Sequence, residues 1–193
     1  MADALRIGIA GLGTVGASVV RMLGAKGAEL TRQCGREIAP VAVSARDRSR
    51  DRGIDLGNAQ WFDDPVELAR SAEIDVYVEL IGGEDGAAFD SVRAALEAGR
   101  HVVTANKALL SKHGVDLAAI AEANGVLLNY EAAVAGGIPV IKTMREALAG
   151  NHVSRVFGIL NGTCNYILTR MEAEGLSFEQ CLSEAQRLGY AEA

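Results

Sequence analysis

Gly11-Leu12-Gly13-Thr14-Val15-Gly16 lies between a short apolar run, Leu5 to Ala10, and a run with Val15, Val19 and Leu23 on one helical face. An apolar strand that turns through glycines into a helix is the opening of a βαβ unit. In that setting the first glycine permits the tight turn and the second lets backbone approach a pyrophosphate. The third allows helix and strand to pack closely. The helix start adds N–H groups and a favourable dipole for an anion. Gly11 to Gly16 are therefore candidate dinucleotide contacts, set against the plainer reading of a glycine-rich packing turn.

Outward from this loop, strand and helix alternate. Strands are expected at Leu5–Ala10, Ile38–Ser44, Ile74–Leu80, His101–Thr104 and Val126–Tyr130. Helices are expected at Thr14–Leu23, from the Asp64-Pro65 start signal, at Gly86–Ala98 and at Val115–Ala123. Residues 24–37 read as a looser polar connection, and 45–60 as an Arg-rich irregular segment. The alternation predicts an α/β fold, a Rossmann-type doubly wound parallel sheet. After Glu131 the rhythm changes. Pro139 opens a helix to about Ala149, a strand is expected over 153–160, and two helices over 163–174 and 178–188. Residues 1–133 form the expected nucleotide-binding domain and 134–193 the start of a second, α+β domain. A lone strand leaves both its edges unpaired, so the second part reads as incomplete and the chain as a fragment.

The chain has 193 residues, 49% of them apolar, and a net charge of −6. That balance argues against nucleic-acid binding. No signal-peptide pattern and no membrane-length apolar run are found. Cys34, Cys164 and Cys181 show no paired spacing, which suits a reducing cytosol. The expectation is a soluble cytoplasmic protein.

Other segments carry candidate chemistry. The second strand ends in Val43-Ser44-Ala45-Arg46, where NAD enzymes usually place an acid. A guanidinium at Arg46 pairs with a 2′-phosphate, a bond worth roughly 1.5–3 kcal/mol, so NADP is favoured and NAD tolerated. The alternative is a charged loop neutralised by Asp47 and Asp51. Gly82 and Gly83 follow the third strand, where backbone can lie against the nicotinamide half. Thr104-Ala105-Asn106-Lys107 follows the fourth strand, at the end that faces a ligand crevice. A Lys at a helix start opposes the dipole, and a buried ammonium there would stabilise an alkoxide during carbonyl reduction. Glu131 to Pro139 offers consecutive carbonyls and one carboxylate, a possible set for a hard cation. Spacing alone favours a buried hinge there. Asn161-Gly162-Thr163 passes from a strand-like run into a helix, leaving N–H groups to hold a polar substrate. His101 reads as structural, and His113 and His152 as solvated. Cys164 lacks a His partner for nucleophilic work.

Together these motifs resemble homoserine dehydrogenase over nearly the whole chain. The resemblance rests on residues 11–16, on Thr-Ala-Asn-Lys-Ala-Leu-Leu at 104–110, and on Glu-Ala-Ala-Val-Ala-Gly-Gly-Ile-Pro-Val at 131–140. Gly-Ile-Leu-Asn-Gly-Thr-Cys-Asn-Tyr-Ile-Leu at 158–168 and Leu-Gly-Tyr-Ala-Glu at 188–192 complete it. It implies reduction of L-aspartate 4-semialdehyde to L-homoserine with NADPH or NADH, on the route to threonine and methionine, by a homodimer. It implies that the second domain binds substrate and makes the dimer contacts. It places Thr104 and Lys107 at cofactor and substrate, and Asn161, Gly162 and Thr163 at a substrate-facing turn. Glu192 would hold the substrate's amino group, and Glu131 with the backbone of Val134, Gly136 and Ile138 would hold sodium. The family's Asp and second Lys, the usual candidate proton donor, lie beyond Gly-Tyr-x-Glu, so weak or absent turnover is expected of this chain alone. The rival expectations are another amino-acid or semialdehyde dehydrogenase and a non-catalytic NADP-binding module.

Overall fold

The computed structural model describes residues 3–159 and 161–191. Its first part alternates β1 (Leu5–Ala10), α1 (Thr14–Cys34), β2 (Ile38–Ser44), β3 (Gln60–Phe62), α2 (Pro65–Ser71), β4 (Val76–Glu79), α3 (Ala87–Glu97), β5 (His101–Thr104), α4 (Lys107–Ala123) and β6 (Leu128–Asn129). Six strands form one sheet in the order β3-β2-β1-β4-β5-β6, and every neighbouring pair is parallel. The order reverses between β1 and β4. That is the switch point at which doubly wound sheets bind ligands.

Strand side chains alternate between two faces, and each face has its own core. Tyr77, Ala42, Val102 and Leu128 pack with Leu68, Val92 and Leu117 of α2, α3 and α4. Ile7, Ile9, Val43 and Val78 pack with Val20 and Leu23 of α1. Gly8 makes room on the first face: a Cβ there would lie 2.7 Å from Leu68 Cδ2 and 2.9 Å from Ile74 Cδ1. Asp64 caps α2 by accepting from Val66 N at 2.9 Å, as the Asp-Pro pair predicts.

Several elements differ from the sequence expectation. Residues 24–34 continue α1 rather than forming a loose connection. Gly24 and Gly27 each cost about 1 kcal/mol against alanine, but Ala25, Lys26, Ala28, Glu29 and Leu30 are strong helix formers. Leu30 also packs on the α1-side core. The helix ends at Gly35, whose φ is +74°. The short edge strand β3 was not expected. Three residues are too few to show a period, and pairing with β2 creates the strand.

At the N-terminal edge of the sheet, Asp75 accepts from Arg6 N at 2.8 Å and Arg6 Nη2 at 3.0 Å, with Arg36 Nη2 3.8 Å away. The Arg6 hydrogen bond, foremost, holds the Asp75 carboxyl below its ordinary 3.8. A depressed carboxylate stabilises the fold above its unfolded pKa and loses that contribution as pH falls through the folded one. Asp75→Asn should therefore cost about 1 kcal/mol at neutral pH. The gap to wild type should close below about pH 4 in paired denaturant melts. A gap that widens in acid would refute this assignment.

The chain divides into two compact units, Met1–Thr143 and Met144–Ala193. The first ends with α5 (Glu131–Val134) and α6 (Val140–Lys142), and a π-helical turn follows at Thr143–Ala147. The second unit holds α7 (Gly162–Glu174) and α8 (Phe178–Arg187). Ile167, Cys181 and Ala185 form its small core. Arg170 joins the helices, 2.8 Å from Glu184 and 2.7 Å from Glu174. Ser177 and Gln180 form a capping box at the start of α8.

The strand expected over 153–160 is not formed among the described residues. Residues 152–159 carry no regular structure, and Val156, Phe157 and Ile159 are exposed. A strand exists only when its N–H and C=O groups find a partner ladder, and this unit presents none among its described residues. Likewise, Pro139 is followed by one short turn of α-helix and the π-helical turn rather than one continuous helix.

Candidate functional site

A cavity of about 300 Å³ opens at the C-terminal ends of β1, β2 and β4. Gly11, Leu12 and Gly13 form one wall, Ser44 to Arg46 another, and Leu80 and Ile81 a third. The three glycines of the first loop have distinct reasons to be glycine. Gly11 has φ +94°, and a Cβ there would sit 2.3 Å from Leu80 O. A Cβ on Gly16 would sit 1.9 Å from Gly11 O, so α1 could not approach β1. Gly13 is different, because nothing lies within 4 Å of its Cβ position. No protein atom requires glycine there. The open space over its backbone, at the start of α1, is what an incoming pyrophosphate would use.

Thr14 and Val15 begin α1 and are exposed. Arg46, Arg50 and Arg52 line the cavity. Arg52 is committed to the protein. It donates to Leu12 O at 3.0 Å, Arg50 O at 2.8 Å and Asp47 O at 2.5 Å, tying the Arg-rich loop to the glycine loop. Asp47 turns away into its own loop, accepting from Ser49 N at 2.9 Å and Ser49 Oγ at 2.6 Å. Those bonds hold its carboxyl below the usual range. Arg46 is exposed, a free cation at the end of β2.

At the end of β4 lies a residue that the sequence reading passed over. Glu79 is fully buried. One carboxylate oxygen accepts from Ile81 N at 2.7 Å and Gly82 N at 3.1 Å, and the other from Thr104 Oγ1 at 2.5 Å. Thr104 Oγ1 accepts in turn from Asn106 N at 2.9 Å. Asn106 caps α4 through Leu109 N at 3.1 Å and donates to Gly83 O at 2.7 Å. The one available signal was an acid closing an otherwise apolar strand, Val76-Tyr77-Val78-Glu79.

Lys107, the first residue of α4, is exposed rather than buried. Nearby, Lys112 pairs with Glu84 at 3.0 Å and also with Asp85. His113 is not simply solvated. Its Nε2 lies 2.8 Å from Asp85 Oδ1, and its ring is 4.2 Å from that of Phe89. His101 is structural as expected, its Nδ1 accepting from Leu127 N at 3.0 Å.

In the 131–139 segment, Glu131 accepts from Ile141 N and Lys142 N, each at 2.9 Å. Val134, Gly136 and Ile138 are exposed despite the apolar composition, and Ile138 O accepts from Val140 N at 2.8 Å. Among the described residues no group of three His, Cys, Asp or Glu side chains is placed to hold a metal. No helix among them is long and apolar enough to cross a membrane.

In the second unit, Asn161 caps α7 through Cys164 N at 2.8 Å. Gly162 opens that helix, and the Thr163 hydroxyl donates to Tyr190 O. Glu192 lies outside the described residues.

Comparison with known proteins gives a consistent result. Residues 11–131 match the family described as homoserine dehydrogenase, NAD binding domain, and 139–193 match homoserine dehydrogenase. The chain is 47% identical to the homoserine dehydrogenase of Pseudomonas aeruginosa, covering 98% of this chain and 43% of that protein. The solved homoserine dehydrogenase of Thiobacillus denitrificans superposes with a TM-score of 0.83 at 44% identity, over 98% of this chain and 44% of that one. A hyperthermophilic archaeal homoserine dehydrogenase, solved in complex with NADPH, superposes with a TM-score of 0.77 at 26% identity, over 98% and 62%. The chain thus spans less than half the length of the curated relatives it matches.

Proposed function

This chain belongs to the homoserine dehydrogenase family, and from that premise we propose that it is the cofactor-binding domain and the first part of the catalytic domain of an NADPH-dependent reductase of L-aspartate 4-semialdehyde. The domains would divide as 1–133 and 134–193. The product is L-homoserine, on the way to threonine and methionine, and the whole enzyme is a cytoplasmic homodimer. The observation that carries the reading is the cavity at the strand switch point. There, space over Gly13 meets Arg46 at the end of β2 and the backbone of Leu80 and Ile81, which leads on to the glycine pair at 82–83.

The chemistry a bound nicotinamide supplies is hydride transfer to the aldehyde carbon. The residues of this chain do the rest. Gly11 to Gly16 receive the pyrophosphate, with backbone N–H groups at the start of α1 pointing toward it. Thr104 and Gly82 border the nicotinamide half. Lys107 offers an ammonium to the oxygen on which negative charge develops. Asn161, Gly162 and Thr163 hold the polar end of the substrate, and the Glu192 carboxylate pairs with its ammonium. Sodium is proposed at Glu131 and the carbonyls of Val134, Gly136 and Ile138. An oxygen-only set suits a hard cation, and carboxylate oxygens keep lone pairs beyond the two N–H bonds observed.

The cofactor choice is tested at Arg46. Arg46→Ala should weaken NADPH binding by about 10- to 100-fold in calorimetric titration and leave NADH binding nearly unchanged. Equal losses for both would remove Arg46 from 2′-phosphate recognition.

The function is tested by aspartate-semialdehyde-dependent NADPH oxidation, using the protein translated from the complete gene beside this chain. Turnover by the longer protein supports the reading. NADPH binding without turnover by either sinks the substrate assignment and favours a nucleotide-binding module.

A further inference from the structure

We propose that Glu79 is a positioning residue for the reaction. Its buried carboxylate sets, in one network, the turn that would border the nicotinamide and the helix start that presents Lys107. The inference rests on the nucleotide reading of the cavity and deepens it.

A carboxylate at the end of an apolar strand is an expensive choice for a core position, where a leucine would pack without needing partners. Here three donors converge on it: Ile81 N, Gly82 N and Thr104 Oγ1. The proton positions follow by elimination. Both backbone N–H groups donate, so that oxygen accepts. Asn106 N–H donates to Thr104 Oγ1, and because a carboxylate only accepts, the single Thr104 proton goes to Glu79. The direction of every bond is therefore fixed, and the chain Glu79–Thr104–Asn106 has one arrangement.

None of the groups it holds is needed to pair the strands. Glu79 and Thr104 already face each other in the β4–β5 register. What the network adds lies past the strand ends, on the side of the ligand crevice. Gly82 and Gly83 take φ of +83° and +87°, and the pair is clamped from both sides. Glu79 holds Gly82 N, and Asn106 Nδ2 holds Gly83 O. The Asn106 cap fixes where α4 begins, and Lys107 is its first residue. With its side chain exposed, Lys107 depends on that backbone for its position.

The test compares two ligands on this chain by calorimetry: NADPH, and 2′,5′-ADP, which lacks the nicotinamide half. Thr104→Val keeps shape and removes the hydroxyl link. Glu79→Gln keeps an acceptor for the two backbone amides and turns its amide N–H₂ on Thr104. Both should lower NADPH affinity about tenfold while 2′,5′-ADP binds as in wild type, which also reports an intact fold. Thr104→Ser, with its hydroxyl retained, should recover most of the NADPH affinity that Thr104→Val loses. Equal losses for the two ligands would reduce Glu79 to a structural role and overturn the proposal. Unchanged NADPH binding in Thr104→Val would overturn it as well, whether or not Glu79→Gln folds. A wild-type chain that binds neither ligand would bring down the nucleotide reading itself, and this proposal with it.

Discussion

Lys107→Ala in the complete protein should lower kcat for aldehyde reduction by about 10²–10³-fold, with a far smaller change in NADPH affinity. The reason is where the charge appears. An aldehyde oxygen is neutral before hydride transfer and gains negative charge as the new C–H bond forms, so a nearby ammonium acts mainly on the transition state. The position is otherwise unfavourable for a cation, because the first residue of α4 sits at the positive end of the helix dipole. Lys107→Arg should retain charge but fall between alanine and wild type, since a planar fork does not occupy the place of a compact ammonium. Steady-state kinetics against both substrates measures the split. A variant that keeps most of its turnover removes Lys107 from the mechanism.

Gly16→Ala and Gly13→Ala should both lose nucleotide binding, but only the first should lose stability. At Gly16 the added methyl would meet the Gly11 carbonyl at 1.9 Å, a backbone atom that cannot swing aside. Pushing α1 off β1 should cost about 3 kcal/mol or more and abolish nucleotide binding along with stability. At Gly13 the methyl meets no protein atom within 4 Å. Stability should stay within about 1 kcal/mol of wild type, while nucleotide affinity falls at least about tenfold as the methyl fills the phosphate's approach. Thermal melts beside calorimetry separate the two effects. Normal binding by Gly13→Ala would end the claim that a ligand approaches backbone there.

The parts of this fold legible in the sequence are those with local causes. The glycine loop, the Asp64-Pro65 cap and the Asn161 turn each encode their geometry within a few residues, and all three form. The missed parts have distant causes. Gln60–Phe62 becomes a strand because β2 lies beside it. The 153–159 run has a strand's composition and lacks a described partner. Glu79 went unread because an acid at a strand end looks like the strand meeting water. Only the fold brings Thr104, 25 positions away, within reach of its carboxylate.

The loop that carries Arg52 has an optical consequence. Trp61 is the only tryptophan in the chain, and the guanidinium groups of Arg48 and Arg52 each lie 5.8 Å from its ring centroid. Arg52 also lines the cavity, as does Asp63, which accepts from the Trp61 indole N–H at 2.9 Å. The sole indole thus sits beside two side chains that line the cavity. Reduced nicotinamide absorbs where indole emits, and oxidised nicotinamide does not. Native emission would therefore dim by energy transfer when reduced nicotinamide docks and stay bright when the oxidised form does, a label-free signal of binding.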